Sequence, residues 1–253
     1  MYFDPIITMI FILIFLYGLV IGSFLNVAIF RIPKNENIAI VRSHCQSCGY
    51  NLKWYDNIPL LSYICLRGKC RKCQTHISLQ YPIIEAANAL LYVLVFLING
   101  LNVESGIYCL AFSAFIVLSV IDARTFEIPI GINYFLLALG LIHLCLDYKS
   151  WLLYVIGLFS VSVFLMILYY ASKGAAIGGG DVKLMAVTGL LFGWKVNILG
   201  FLIGCVLASI IHVIRMRISK ADRVLAMGPY LAAGVAIAAL YGKEFIDWYL
   251  KLY

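Results

Sequence analysis

Long uncharged runs dominate this chain, at 5–30, 86–103, 105–121, 128–146, 150–172, 196–214 and 224–242. Most reach the roughly 17–25 residues that a helix needs to cross a bilayer. An eighth run, 184–194, is too short to cross alone and becomes a span only by reaching back through Lys183 and Asp181. An ionisable pair at a membrane boundary marks a functional site by default. The pattern predicts an all-α, polytopic membrane protein with about eight transmembrane helices. Composition agrees: of 253 residues 64% are hydrophobic and 12% charged, against roughly 25% charged in a soluble domain. With a mean hydropathy of +0.98, a soluble domain, a disordered chain, a collagen-like fibre and a secreted disulfide scaffold are excluded. The first run is too long for a signal-peptide core, and Asp4 stands where such a peptide carries Lys or Arg, so it reads as an uncleaved span.

The charges cluster at 31–85, 122–127 and 215–223. Threading eight spans from an outside N-terminus places eight Lys/Arg in 31–81, Arg42 among them. The other loops of that side hold seven more, including Lys220 and Arg223, and Lys149, Lys195, Lys243 and Lys251 stand opposite. By the positive-inside rule 31–81 is cytoplasmic. Translocation bias and anionic membrane lipid account for the net charge of +7, so no nucleic-acid partner is required. The organisation is a first span (1–30), a cytoplasmic cysteine loop (31–81) and a transmembrane domain (82–253), with no internal repeat of fixed period. No oligomeric state is specified.

Eight cysteines form two populations. Cys109, Cys145 and Cys205 lie in apolar runs and read as packing residues, as does Cys65. Cys45, Cys48, Cys70 and Cys73 make C-x2-C twice, with 21 residues between the pairs. Two such turns facing each other give a tetrahedral zinc site, and Gly49 and Gly68 suit the turns. Four thiolates leave no open coordination position, so the metal is structural and the loop is zinc-ribbon-like. A redox dithiol pair and a metal-free loop are the alternatives, the first disfavoured by a reducing cytoplasm.

Two acids mark the cytoplasmic boundary, Asp122 after Val120-Ile121 and Asp181 after Gly178-Gly179-Gly180. Two carboxyls brought together share a proton, leaving one as acid and one as base. Such a pair points to aspartic-protease chemistry; the plain alternative is two solvated boundary charges and glycines that merely cap a helix. Three glycines let an extended substrate backbone approach, with Lys183 beside them. Asp181 at a helix N-terminus is expected to be the more acidic member.

These residues resemble the type IV prepilin peptidases, within the Gly-x-Gly-Asp intramembrane aspartic proteases. The resemblance rests on Gly22-Ser-Phe-Leu-Asn-Val27 with Arg31-Ile-Pro33, Ser43-His-Cys-Gln-Ser-Cys48, Trp54-Tyr-Asp-Asn-Ile-Pro-Leu-Leu-Ser62 and Leu66-Arg-Gly-Lys-Cys-Arg-Lys-Cys73. Tyr81-Pro82 with Glu85, Gly178-Gly-Gly-Asp-Val-Lys-Leu184 and Gly228-Pro229 extend it. It implies that Asp122 and Asp181 are the catalytic pair and that the four cysteines are the loop's metal pattern. It also implies prepilin or pseudopilin substrates in a bacterial inner membrane, cut after a glycine behind a basic leader at the cytoplasmic face. Methylation of the new N-terminus from S-adenosylmethionine is implied by the family alone. The chain departs from the family pattern at Ile130, where an Asp is common, and at Gln46, where a Pro is. A thiol–disulfide enzyme and an ion-coupled transporter are the rival classes. Against them stand cysteines on the reducing side, and two acids at one boundary with no inverted repeat.

Overall fold

The computed structural model describes residues 5–38, 43–175, 177–219 and 225–251. Arg42, Lys220 and Arg223, counted in the charge asymmetry, and Asp4 lie outside the described residues. The chain divides into two compact units, Met1–Val117 and Leu118–Tyr253.

In the first unit, α1 (Pro5–Arg31) is followed by the cysteine loop with the short α2 (Leu61–Cys65), then α3 (Gln80–Asn99) and the greater part of α4 (Val103–Thr125). Gly18 and Gly22 form a Gly-x3-Gly stripe on α1. A Cβ at either position would lie 2.7 Å from the α3 backbone, at the Ala89 and Glu85 Cα atoms. Small residues at this spacing let two helix backbones close up where lipid supplies no hydrophobic drive between them. Polar groups then seal the seam. Asn88 Nδ2 donates to the Gly18 carbonyl (2.8 Å), and Asn26 Nδ2 to the Tyr81 carbonyl (3.2 Å).

Charge spacing started the second span near residue 86, yet α3 begins at Gln80 and ends at Asn99. The early start keeps Glu85 inside the helix, buried, where its Oε2 accepts the Leu60 N–H (2.8 Å). A carboxylate that finds a buried donor need not mark a membrane boundary.

The second unit holds the end of α4, then α5 (Ile130–Leu146), α6 (Trp151–Ser160), α7 (Ser162–Ala171), α8 (Gly179–Phe192), α9 (Trp194–Ser219) and α10 (Gly228–Leu250). The apolar run 150–172 breaks at Val161. Ser160 Oγ bonds the Gly157 carbonyl (2.9 Å) and Ser162 Oγ the Leu158 carbonyl, and such back-bonding bends helices. Buried on nearly every side, the 14-residue α8 is the centre of this unit. Gly189 of α8 meets Gly157 of α6 backbone to backbone. Asn197 of α9, wholly buried, donates to the Met185 carbonyl (3.0 Å) and accepts from Thr188 Oγ1 (3.0 Å). A second Gly-x3-Gly stripe, Gly200 and Gly204, docks α9 on α10 at Gly234.

Every one of the eight sequence stretches is therefore helical, counting α6 and α7 together. Among the described residues five segments are long and apolar enough to cross a membrane: α1, α3, α4, α6–α7 and α9. The 17-residue α5 and the 14-residue α8 are shorter, and α10 carries Lys243, Glu244 and Asp247 toward its end. Among the described residues no strand occurs, only the bridges His44–Asn51 and Lys69–His76.

Candidate active site and metal centre

Asp122 lies in the last turn of α4, one turn further into the helix than a boundary residue would. The helix stops because Phe126 turns to φ 55°, its N–H bonding the Asp122 carbonyl (2.8 Å). The Asp122 side chain is 4% exposed, and its Oδ2 accepts the Gly228 N–H at 2.9 Å across 106 residues of sequence. Gly228 opens α10. Its N–H is one of the donors that a helix start leaves without an intrahelical partner, and Pro229 brings none. Asp122 thus caps α10 from outside the helix.

Asp181 occupies the third position of α8, whose N-cap is Gly178. Its N–H bonds the Gly178 carbonyl (3.1 Å), closing the first turn of the helix. A Cβ at Gly178 would sit 3.2 Å from Asp181 Oδ2. Gly178 is exposed and Asp181 half-buried, so the bare glycine leaves the carboxylate reachable; Lys183 is exposed on the same helix. Ile128 connects the two positions. A Cβ at Gly180 would meet its Cβ at 3.1 Å, and one at Gly228 its Cδ1 at 3.3 Å. Asp122 and Asp181 are close enough to interact electrostatically. Asp181 stands in the first turn of α8, whereas Asp122 meets the start of α10 from the last turn of α4, where the dipole of α4 opposes a negative charge.

The cysteine loop folds as two knuckles built alike. Cys45 N–H bonds the Tyr50 carbonyl and Gly49 N–H the Cys45 carbonyl, both at 2.9 Å; Cys70 with Thr75 (2.9 Å) and Gln74 with Cys70 (3.0 Å) repeat the pattern. A two-copy repeat is present after all, carried by hydrogen bonds more than by residue identity. Gly49 turns the first knuckle at φ 67°, whereas Gln74 at φ 58° turns the second. Gly68 instead follows α2, where a Cβ would strike the Tyr63 hydroxyl at 2.8 Å.

The four Sγ atoms lie within 4.8 Å of one another, Cys45 and Cys73 at 3.8 Å. Zinc–sulfur bonds of about 2.3 Å in a tetrahedron set sulfurs roughly 3.8 Å apart, so the donor set fits zinc. Hydrogen bonds from the Thr75 side chain and backbone pull the Cys73 thiol down to about 6. The Tyr50 backbone would lower Cys48, but partial loss of hydration and the neighbouring sulfurs of Cys73, Cys45 and Cys70 push it up to about 11. Asp56, buried in the loop, ties the knuckles together: Oδ1 takes the Arg71 Nε at 2.8 Å and Oδ2 the Lys53 N–H at 3.2 Å.

Comparison with known proteins decides the family. Residues 16–98 match the bacterial peptidase A24 N-terminal domain, and residues 109–213 the type IV leader peptidase family. The prepilin leader peptidase/N-methyltransferase of Bacillus subtilis is 32% identical over 244 residues, 95% of this chain and 98% of its own length. Its namesake in Pseudomonas aeruginosa is 32% identical over 268 residues, covering 93% and 92% of the two chains. In Aeromonas hydrophila the figures are 33% over 273 residues, 95% and 93%. The chain belongs to the type IV leader peptidase family. No solved structure matches it.

Within this family member, Gly178, Gly179 and Gly180 stand beside Asp181 at the start of α8, and Cys45, Cys48, Cys70 and Cys73 come together in the knuckles, whereas Gly68 lies outside the second knuckle's turn. Two neighbours of these positions were not singled out for that role: the Gly228 amide, which bonds Asp122, and Ile128, which meets Gly180 and Gly228. The signal for the first was a Gly-Pro pair opening a helix, which reads equally as a plain helix start. Cys65 and Cys145, expected to pack, are exposed, while Cys109 is buried.

Proposed function

We propose that this chain is an aspartic endopeptidase of the bacterial inner membrane, multi-pass with its N-terminus outside, that removes the basic leader of type IV prepilins or pseudopilins. Cleavage falls after a glycine at the cytoplasmic face, ahead of the precursor's hydrophobic helix. The observation that carries the reading is that Asp122, accepting the N–H that opens α10, and Asp181, in the first turn of α8, belong to two helix starts that both meet Ile128, in a chain of this family. One carboxyl of the pair holds a proton. The ionised one takes a proton from water, whose oxygen adds to the scissile carbonyl carbon; the protonated one polarises the carbonyl oxygen. Collapse breaks the C–N bond, and the proton passes to the leaving amine. Water is consumed, and a leader carboxylate and a new N-terminal amine result.

Gly178, Gly179 and Gly180 leave room for the extended substrate beside Asp181, and Lys183 stands at the same approach. Zinc bound by Cys45, Cys48, Cys70 and Cys73 would hold the loop, its four sulfurs filling the coordination. The new amine is then N-methylated, as the names of the curated relatives carry; S-adenosylmethionine would supply the methyl group, and no residue is assigned to it. The test is incubation of detergent-purified protein with a synthetic precursor segment, products read by mass. Cleavage after the leader glycine is expected; an intact peptide would overturn the reading.

Gly228→Ala is expected to lower cleavage at least about tenfold while the protein stays inserted. The added Cβ would sit 2.6 Å from Asp122 Oδ2 and 3.1 Å from its Cγ. The group that must yield is the carboxylate itself, and displacing a reacting group by about 1 Å costs rate steeply. Gly131→Ala, where nothing lies within 4 Å, should cleave like wild type. Equal activity of the two variants in the same peptide assay would remove the Gly228–Asp122 contact from the mechanism.

A further inference from the structure

Asn133 of α5 is 4% exposed, and neither its Oδ1 nor its Nδ2 meets a hydrogen-bonding group among the described residues. Other buried asparagines of the fold are satisfied: Asn88 by Gly18 and Ser113, Asn197 by Met185 and Thr188. A buried amide without partners destabilises a fold, so one that persists calls for a reason.

Its position supplies one. His143 Nδ1 lies 2.8 Å from the Leu191 carbonyl, and a Cβ at Gly140 would touch Leu190. At the other end, Ile128, just ahead of α5, touches Gly180 in the first turn of α8. The two helices therefore run parallel. Asn133 is two turns before Gly140 on the same stripe of α5 that faces α8. Ten residues before His143 is Asn133, and ten before Leu191 is Asp181. At about 1.5 Å of rise per residue in both helices, Asn133 is level with the first turn of α8, where Asp181 stands.

A precursor must be extended where it is cut, and its peptide groups then lack helical partners at a depth where water is scarce. A carboxamide carries one acceptor and two donors, the complement of one peptide N–H and C=O. We propose that Asn133 is a substrate-positioning residue whose side chain pairs with a peptide group of the extended precursor beside the carboxyl pair, Oδ1 accepting its N–H and Nδ2 donating to its carbonyl. The proposal rests on the peptidase reading. Binding then satisfies both unpaired amides at once, and the cost carried by the free protein is recovered in the complex.

The test is Asn133→Leu, which keeps the volume and removes the polar atoms, with Asn133→Ser as a second variant. Purified protein is assayed on the synthetic precursor segment, alongside its thermal midpoint. Asn133→Leu is expected to melt at the same temperature as wild type or higher, and to lose at least roughly tenfold in kcat/KM, mainly through KM. The shape of the pH profile is unchanged, since Asn does not titrate. In an Asp181→Asn background, which removes turnover, the labelled segment should bind at least roughly tenfold more weakly when Asn133→Leu is added. That binding arm reads Asn133 apart from the chemistry: cleavage surviving in Asp181→Asn alone would defeat the peptidase reading without touching it. Binding and kcat/KM within about twofold of wild type would overturn the proposal. So would parallel losses of melting temperature and activity in both variants, the mark of a packing role.

Discussion

Asp122→Asn and Asp181→Asn are each expected to leave a correctly inserted protein that no longer cuts its precursor. General acid–base catalysis by a placed side chain supplies roughly 10²- to 10⁴-fold, and here each carboxyl serves as acid in one half of the cycle and base in the other. Losing either removes both halves, so the loss should reach at least about 10³-fold. The substitution is well matched to the structure. An Asn Oδ1 at 122 can still accept the Gly228 N–H that Asp122 holds at 2.9 Å. At 181 the backbone bond from its N–H to the Gly178 carbonyl (3.1 Å) does not involve the side chain and is kept. The helix starts survive, and the measurement isolates the proton. Glu127→Gln, an exposed acid five residues from Asp122, is the control and should cleave normally. Asp56 serves poorly as one, because it is buried and bonded to Arg71. Precursor cleavage by mass, beside detergent-solubilised yield, decides the matter; near-wild-type turnover in either Asn variant would take that residue out of the chemistry.

The helical stretches were legible because charge is expensive in a membrane, so uncharged runs trace the helices directly. The same rule misplaced the start of α3. Glu85 counted as a boundary charge, but a long-range donor, the Leu60 N–H, keeps it within the helix. The break at Val161 depends on which carbonyls two serines capture, and composition does not register that. The Gly-x3-Gly stripes at Gly18/Gly22 and Gly200/Gly204 were in plain view. Inside apolar runs they look like any other glycines until a partner backbone is seen at van der Waals distance. For the sites, short-range spacing carried the cysteines and the Gly-Gly-Gly-Asp turn. What stayed hidden spans the chain: the Asp122–Gly228 bond joins residues 106 apart. The unpaired state of Asn133 is likewise a property of its surroundings and not of its neighbours in sequence.

Cys48→Ser is expected to lose bound zinc and with it the order of residues 43–75. No helix longer than the five-residue α2 supports that segment, and of its five cysteines only Cys70 is buried. A segment this small lacks the buried surface to hold itself and depends on a metal or disulfide staple. The Asp56–Arg71 pair spans both knuckles, but Arg71 is 48% exposed, and a partly exposed ion pair contributes at most about 1 kcal/mol. Structural zinc in small domains contributes several times that, roughly 10 kcal/mol or more in apparent binding. Cysteine binds zinc as the thiolate, so each thiol gives up its proton on binding, and a serine hydroxyl gives up a proton far less readily. Elemental analysis of wild-type protein, purified under reducing conditions without chelator, should find about one zinc per chain, and limited proteolysis should cut the variant inside the loop. Leader cleavage should fall less than in the Asp122 and Asp181 variants, because the proton transfers belong to the carboxyl pair. N-methylation of the product, read as mass, should suffer at least as much as cleavage. Wild-type protein without zinc would end the metal-site reading. A Cys48→Ser protein correctly inserted yet as inactive as Asp181→Asn would make the loop necessary to hydrolysis itself and overturn this division of labour.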